Sequence, residues 1–122
     1  DEIITALTPD ERLAAIVAAV TQPLVVCGHT HMQFDRRAGA TRVVNAGSVG
    51  MPYGEPGAYW ALLGPTVALR REGYDIDVAG EHIRAGGYPW ADDFAERNLR
   101  HPPAAAETAA FFERLAAERE RA

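Results

Sequence analysis

Val26-Cys27-Gly28-His29-Thr30-His31 is the stretch on which the reading of this chain turns. With Leu24 and Val25 in front of it, the stretch begins as a short, wholly apolar run. That is the pattern of a buried strand, and Gly28 ends it. Two histidines separated by one residue at a strand end can point both imidazoles into one crevice. Neutral imidazole is the commonest protein nitrogen ligand for zinc, manganese, iron and related ions. Gly28 is expected to take the sharp turn at a φ that other residues resist. In open α/β sheets, sites form at the C-terminal ends of strands. His-x-His alone leaves metal binding open against two ordinary polar loop histidines.

Moving toward the N-terminus, Thr8-Pro9-Asp10-Glu11 predicts a helix start, with Thr8 as cap, Pro9 at the first helical position and Glu11 completing a capping box. Leu13, Ile16, Val17 and Val20 then fall on one face, and Gln22-Pro23 ends the helix. Moving toward the C-terminus, residues 29–40 read as loop with a turn at Ala38-Gly39, and Thr41 to Asn45 as a second strand. Residues 46–57 hold four Gly and two Pro and read as loop. Ala58 to Leu63 and Val67 to Arg71 suggest a hairpin around Gly64-Pro65-Thr66. Helices are expected over Asp75 to Ala85, Pro89 to Leu99 and Ala104 to Arg121, with Phe111, Phe112 and Leu115 as the apolar stripe of the last. Strands early and helices late give an α+β order, although the opening helix–strand–turn continues an α/β unit.

Asn45-Ala46-Gly47-Ser48-Val49-Gly50-Met51-Pro52 follows the second strand, 14 residues after His31. Gly28-His29-Thr30-His31, then Arg36-Arg37, then this Asn-x-Gly-Ser-Val-Gly-x-Pro run closely resembles the calcineurin-like metallophosphoesterases of the small bacterial and archaeal phosphodiesterase type. The resemblance covers roughly residues 13–99 and is specific at 26–52. Other His-x-His families fit less well. The β-lactamase-like hydrolases need Asp-His where Gln33 and Phe34 stand. Amidohydrolases need a much longer barrel, and the helical C-terminal third does not suit a cupin, the single-metal alternative.

The resemblance implies an α/β fold, half of a four-layer α/β/β/α sandwich with C-terminal helices. Residues 1–122 would be the C-terminal part of a single domain, with core strands and helix over 8–74 and helices over 75–122. It implies two divalent transition-metal ions, Mn, Fe, Zn or Ni, with His29 and His31 each binding a different one. Gly28, Asn45 and Ser48 would support these ligands; for Asn45 and Ser48, hydrogen bonding their own turn backbone is the ordinary alternative. The implied activity is hydrolysis of phosphate esters, as a phosphodiesterase or phosphatase. The family's upstream motifs Asp-x-His, Gly-Asp-x-x-Asp and Gly-Asn-His-Asp do not occur here. No catalytic residue is therefore expected in this chain, which alone should be inactive, because two ligands cannot hold two metals. Its expected partners are the missing N-terminal half of the same domain and a phosphorylated small-molecule or phosphodiester substrate, with a homo-oligomer left open. The alternative is a non-catalytic, phosphoesterase-like protein-binding scaffold, as in a subunit of the eukaryotic retromer complex with a similar pattern.

Several residues have plainer readings. Arg36 and Arg37 could meet phosphate, but a solvated loop charge is the ordinary use. Cys27 reads as a small buried apolar residue. His82 and His101 lack partners at ligand spacing. Trp60, Trp90, Phe94, Phe111 and Phe112 read as core, and Tyr53 as a residue that could line a cleft. The net charge of -5 argues against a nucleic-acid module. All twelve basic residues are Arg, which with the many Ala suggests coding bias. A single cysteine excludes an internal disulfide framework. No apolar run approaches the roughly 18 residues of a membrane span, and no signal peptide is visible, so a cytoplasmic location is expected. The chain opens Asp1-Glu2-Ile3-Ile4 without Met, and is expected to be a fragment or to lack its start.

Overall fold

A computed structural model describes residues 2–121. Helix α1 (Asp10–Val17) leads into strand β1 (Leu24–Cys27), followed by β2 (Phe34–Ala38) and β3 (Thr41–Asn45). These form one sheet in the order β1-β3-β2, with β1 parallel and β2 antiparallel to β3. The chain continues through β4 (Ala58–Leu63) and β5 (Val67–Glu72), which pair as a separate antiparallel hairpin. Helix α2 (Ile76–Ala85) and the short α3 (Ala91–Phe94) come next; α3 runs on as a π-helical segment (Ala95–Arg100) before α4 (Ala105–Glu120). The architecture is α/β, as the strand run and helix pattern imply.

The core lies between α1 and one face of the three-stranded sheet. Ile4, Leu13, Val17, Phe34 and Val43 are buried there, with Ile16, Val20, Val25, Cys27 and Ala38 packed against them. Burying each of the large side chains stabilises the fold by roughly 1.5–3 kcal/mol. Leu13 and Val17, four apart, are the buried stripe of α1. In β1 the run is only half-buried, with Val26 42% exposed on the face opposite the core. β1 also forms the sheet's edge, so its outer backbone groups have no strand partner among the described residues.

Several expectations are corrected. Thr8 does not cap α1; Pro9 precedes it with no side-chain cap. The Thr8 hydroxyl accepts from the Thr5 N–H and donates to the Glu113 carboxylate, which Thr5 also reaches. The tertiary acceptor outcompetes the local cap. Residues 34–38, expected as loop, form β2, with the tight turn at Gly39-Ala40 instead of Ala38-Gly39. Arg36 is no solvated charge: its guanidinium is half-buried and donates to the carbonyls of Thr5 and Thr8 and to Asp10. Trp60, Trp90 and Phe111 are exposed rather than core. On β2, Asp35 accepts two hydrogen bonds from Arg42 of β3, and these hold its carboxyl below the usual carboxylate range.

The N-terminal segment before α1 is neither helix nor strand, yet Ile3, Ile4 and Thr5 are buried. It is held by side chains: Thr30 donates to the Ile4 carbonyl and Arg12 to that of Ile3. No helix among the described residues is long and apolar enough to cross a membrane.

Candidate metal centre

Because β1 and β3 are parallel, their C-terminal ends lie side by side, with Cys27 opposite Asn45. The His29–His31 loop and the Asn45–Pro52 loop therefore leave the sheet together, at the edge where α/β sheets build sites. Two stretches far apart in sequence become neighbours through one register.

The backbone between the histidines is strained. His29 has φ +69° and His31 φ +56°, the left-handed region that non-glycine residues enter uncommonly. The Thr30 N–H donates to the Gly28 carbonyl at 2.8 Å across His29, a three-residue turn of the rarer hand. Such conformations persist when their surroundings over-determine them, and they cluster at functional sites. The expectation for Gly28 is corrected here: the positive φ falls on the two histidines, and a Cβ at Gly28 would meet nothing within 4 Å. What Gly28 contributes is its carbonyl.

Asn45 supplies the over-determination. It is fully buried at the end of β3. Its Nδ2 donates to the Gly28 carbonyl at 2.8 Å and to the Thr30 hydroxyl at 3.1 Å. Its Oδ1 accepts from the Gly47 N–H at 2.8 Å. One amide thus ties both loops together around His29 without touching an imidazole. Ser48 acts nearby through backbone: its hydroxyl accepts from the Met51 N–H at 3.0 Å.

The Met51 carbonyl lies 2.9 Å from His31 Nδ1. A carbonyl can only accept, so Nδ1 carries the proton, and in the neutral ring the lone pair is then on Nε2. Metal-binding histidines are commonly oriented in this way. Tyr53 lies against the His31 ring, with centroids 5.4 Å apart and planes at 18°. Phe112 of α4 lies 6.4 Å from His29 and 6.1 Å from Tyr53. Tyr53, expected as a residue that could line a cleft, stands against His31, whereas Phe112, expected as core, reaches His29 from α4. His82 and His101 lie elsewhere; His101 pairs with Glu96. Burial pushes the Cys27 thiol up from its ordinary value, which favours the protonated form.

Among the described residues, no three His, Cys, Asp or Glu side chains gather where they could hold a metal ion. The two imidazoles suit a divalent metal in chemistry, and His31 in tautomer as well, but they form only part of a ligand set.

Gly47 tests the packing of the second loop. It sits at φ +83°, and a Cβ there would lie 2.6 Å from Tyr59 Cβ and 2.9 Å from Gln33 Cγ. The Gln33 amide is itself fixed, within donor reach of the Ala46, Trp60 and Arg70 carbonyls. Gly47→Ala should therefore destabilise the fold by about 3 kcal/mol, from left-handed strain plus overpacking. Urea unfolding checks this, and a loss under about 1 kcal/mol would contradict the packing described.

The family model of the calcineurin-like phosphoesterase superfamily domain matches residues 3–65, which is 63 of the 122 residues and includes both histidines and both loops. No curated protein matches the chain. Among solved structures, a hypothetical protein from Pyrococcus horikoshii OT3 is similar in fold, with a TM-score of 0.68 and 22% identity over 85% of this chain and 42% of that one. A metallophosphoesterase from Sphaerobacter thermophilus is similar at a TM-score of 0.61 and 25% identity, over 72% of this chain and 45% of that one. The chain thus spans less than half the length of either structure. With the family model matched over more than half of its residues, the chain belongs to the calcineurin-like phosphoesterase superfamily.

Proposed function

We propose that this chain is the C-terminal part of a single metallophosphoesterase domain, and that His29 and His31 each contribute an imidazole to a dinuclear centre completed by an N-terminal half. The superfamily's general activity is phosphoester hydrolysis, and its members bind divalent metals. The observation that carries the reading is the presentation of His31. Its Nδ1–H is committed to the Met51 carbonyl, its Nε2 is left for a ligand, and it stands two residues from His29 on strained backbone. The apolar edge strand β1, with Val26 exposed, supports a sheet that continues into a part not within this chain.

Two ions of the Mn, Fe, Zn or Ni type, when bound, would supply a water acidic enough to ionise near neutral pH and would take up charge on the phosphoryl oxygens. The residues of this chain bind and orient: His29 and His31 as ligands, Met51 through its carbonyl, Ser48 through Met51, and Asn45 through the turn at His29. The chain alone should not turn over substrate. The test is hydrolysis of bis(p-nitrophenyl) phosphate by the whole-domain protein, this chain joined to its N-terminal half, with and without His31. Metal-dependent turnover that needs His31 supports the proposal. Turnover unchanged without it would overturn the proposal, and a folded protein with neither turnover nor metal would favour the scaffold use.

A further inference from the structure

The rings of His31, Tyr53, Phe112 and His29 follow one another in space. Between centroids, Tyr53 lies 5.4 Å from His31, Phe112 lies 6.1 Å from Tyr53, and His29 lies 6.4 Å from Phe112. All three spacings fall where aromatic pairs attract one another. An arc of ring contacts therefore runs from one histidine to the other. The two ends of the arc differ. The His31 ring is also held by the Met51 carbonyl on its Nδ1. The His29 ring is exposed and makes no hydrogen bond among the described residues. The left-handed backbone at His29 fixes where its side chain departs. Its two side-chain torsions are left to be set by what the ring touches, and the ring it touches is that of Phe112.

Phe112 is itself held in place. It is half-buried on α4. The next residue, Glu113, accepts hydrogen bonds from the buried hydroxyls of Thr5 at 2.6 Å and Thr8 at 2.7 Å. Just before the helix, the Pro103 carbonyl accepts from the Gly54 N–H at 2.8 Å, which ties α4 to the segment that carries Tyr53. Helix α4 also lies wholly outside residues 3–65, the stretch matched by the superfamily model. Its contact with His29 thus comes from how this chain folds and not from the matched motif.

We infer that Phe112 is a positioning residue for His29. Its ring limits the imidazole to one orientation where no hydrogen-bonding partner does so, and through Tyr53 it keeps that orientation in step with His31. The inference rests on the reading of His29 and His31 as metal ligands. A ligand side chain already held in place loses less freedom on binding than one that must first be ordered.

The test uses the whole-domain protein with Phe112→Ala and, because that change opens a space, also with Phe112→Leu, which keeps most of the packing and removes the ring. Leu115→Ala is the control: it trims an apolar side chain from the same helix and leaves the four rings in place. In the metal-free proteins, three-bond NMR couplings across the Cα–Cβ bonds of His29 and His31 report whether each ring keeps one rotamer. Calorimetric titration with Co(II) then gives the metal affinity. The parent and the control should hold both histidines in single rotamers. In the Phe112 variants His29 should average over several, while His31, still bonded to Met51, should not. Co(II) affinity should fall about three- to tenfold in the Phe112 variants, the scale of ordering one side chain on binding, and stay within about twofold in the control. Averaging at His29 in the parent, a single His29 rotamer in both Phe112 variants, or an equal loss of affinity in Leu115→Ala would each overturn the inference. A parent that binds no Co(II) would sink the ligand reading instead, and the couplings would still decide whether Phe112 holds the ring.

Discussion

His31→Ala, in the whole-domain protein, should leave the fold intact and reduce phosphodiester turnover by roughly 10³-fold, the scale of losing one electrostatic stabiliser of a transition state. The fold should survive because His31 contributes little to it. The ring is half-buried and its one hydrogen bond is to the Met51 carbonyl. Losing that bond costs about 1 kcal/mol, since the carbonyl is close enough to solvent to find water. Alanine is strained at φ +56° about as much as histidine, so the backbone term largely cancels. The site loses an imidazole whose tautomer and plane were fixed in advance by Met51 and Tyr53. A steady-state assay at saturating metal measures the effect. A variant that keeps full activity with its fold unchanged would remove His31 from the chemistry.

Asn45→Leu should be the most damaging single change to the structure, lowering stability by roughly 3–5 kcal/mol. Leucine has the same branched heavy-atom outline as asparagine, so no large cavity forms; the cost is mainly polar, with some overpacking because methyl groups are bulkier than the amide. The Gly28 carbonyl, the Thr30 hydroxyl and the Gly47 N–H each lose a partner within a buried site. Thr30 keeps its bond to the Ile4 carbonyl, and the Gly28 carbonyl keeps the Thr30 N–H. The loss is therefore partial for two groups and complete for Gly47. The strained turn at His29 also loses the amide that pins it, so metal affinity should fall by about 10–100-fold, as it does when a supporting partner is removed. Urea unfolding and metal titration of the same variant check both. A stability loss below about 1 kcal/mol would show that the two loops do not depend on Asn45.

Local pattern carried much of this fold into the sequence. Leu24–Cys27 and Thr41–Asn45 announce themselves as apolar or β-branched runs, and the 58–72 hairpin is marked by its Gly-Pro turn. β2 was hidden because only Phe34 in it is deeply buried, while Asp35, Arg36 and Arg37 read as solvated loop. Arg36 pairs with Val43 of β3, and its guanidinium is taken up by the Thr5 and Thr8 carbonyls, 31 and 28 residues away. The buried segment before α1 gave no signal either, since side chains distant in sequence satisfy its backbone. Thr8 fits a local cap by every short-range rule, but its hydroxyl is drawn to Glu113, 105 residues on.

The candidate site divides along the same line. The type and spacing of His29 and His31 were legible, because metal chemistry requires nitrogen donors close together. The backbone that holds them was misplaced onto Gly28, because sequence rules assign left-handed φ to glycine, whereas here a buried amide imposes it on histidine. Tyr53 was legible as a residue able to line a cleft, and Phe112 only as an apolar residue. Their contact with the histidines depends on where α4 docks, which no local pattern specifies.

The most direct test is elemental analysis of the whole-domain protein beside the same protein carrying His29→Ala and His31→Ala together. The account predicts close to two divalent transition-metal ions per molecule in the parent, and clear depletion in the double variant with the fold retained. Equal metal content in the two would contradict it, because His29 and His31 would then not be ligands.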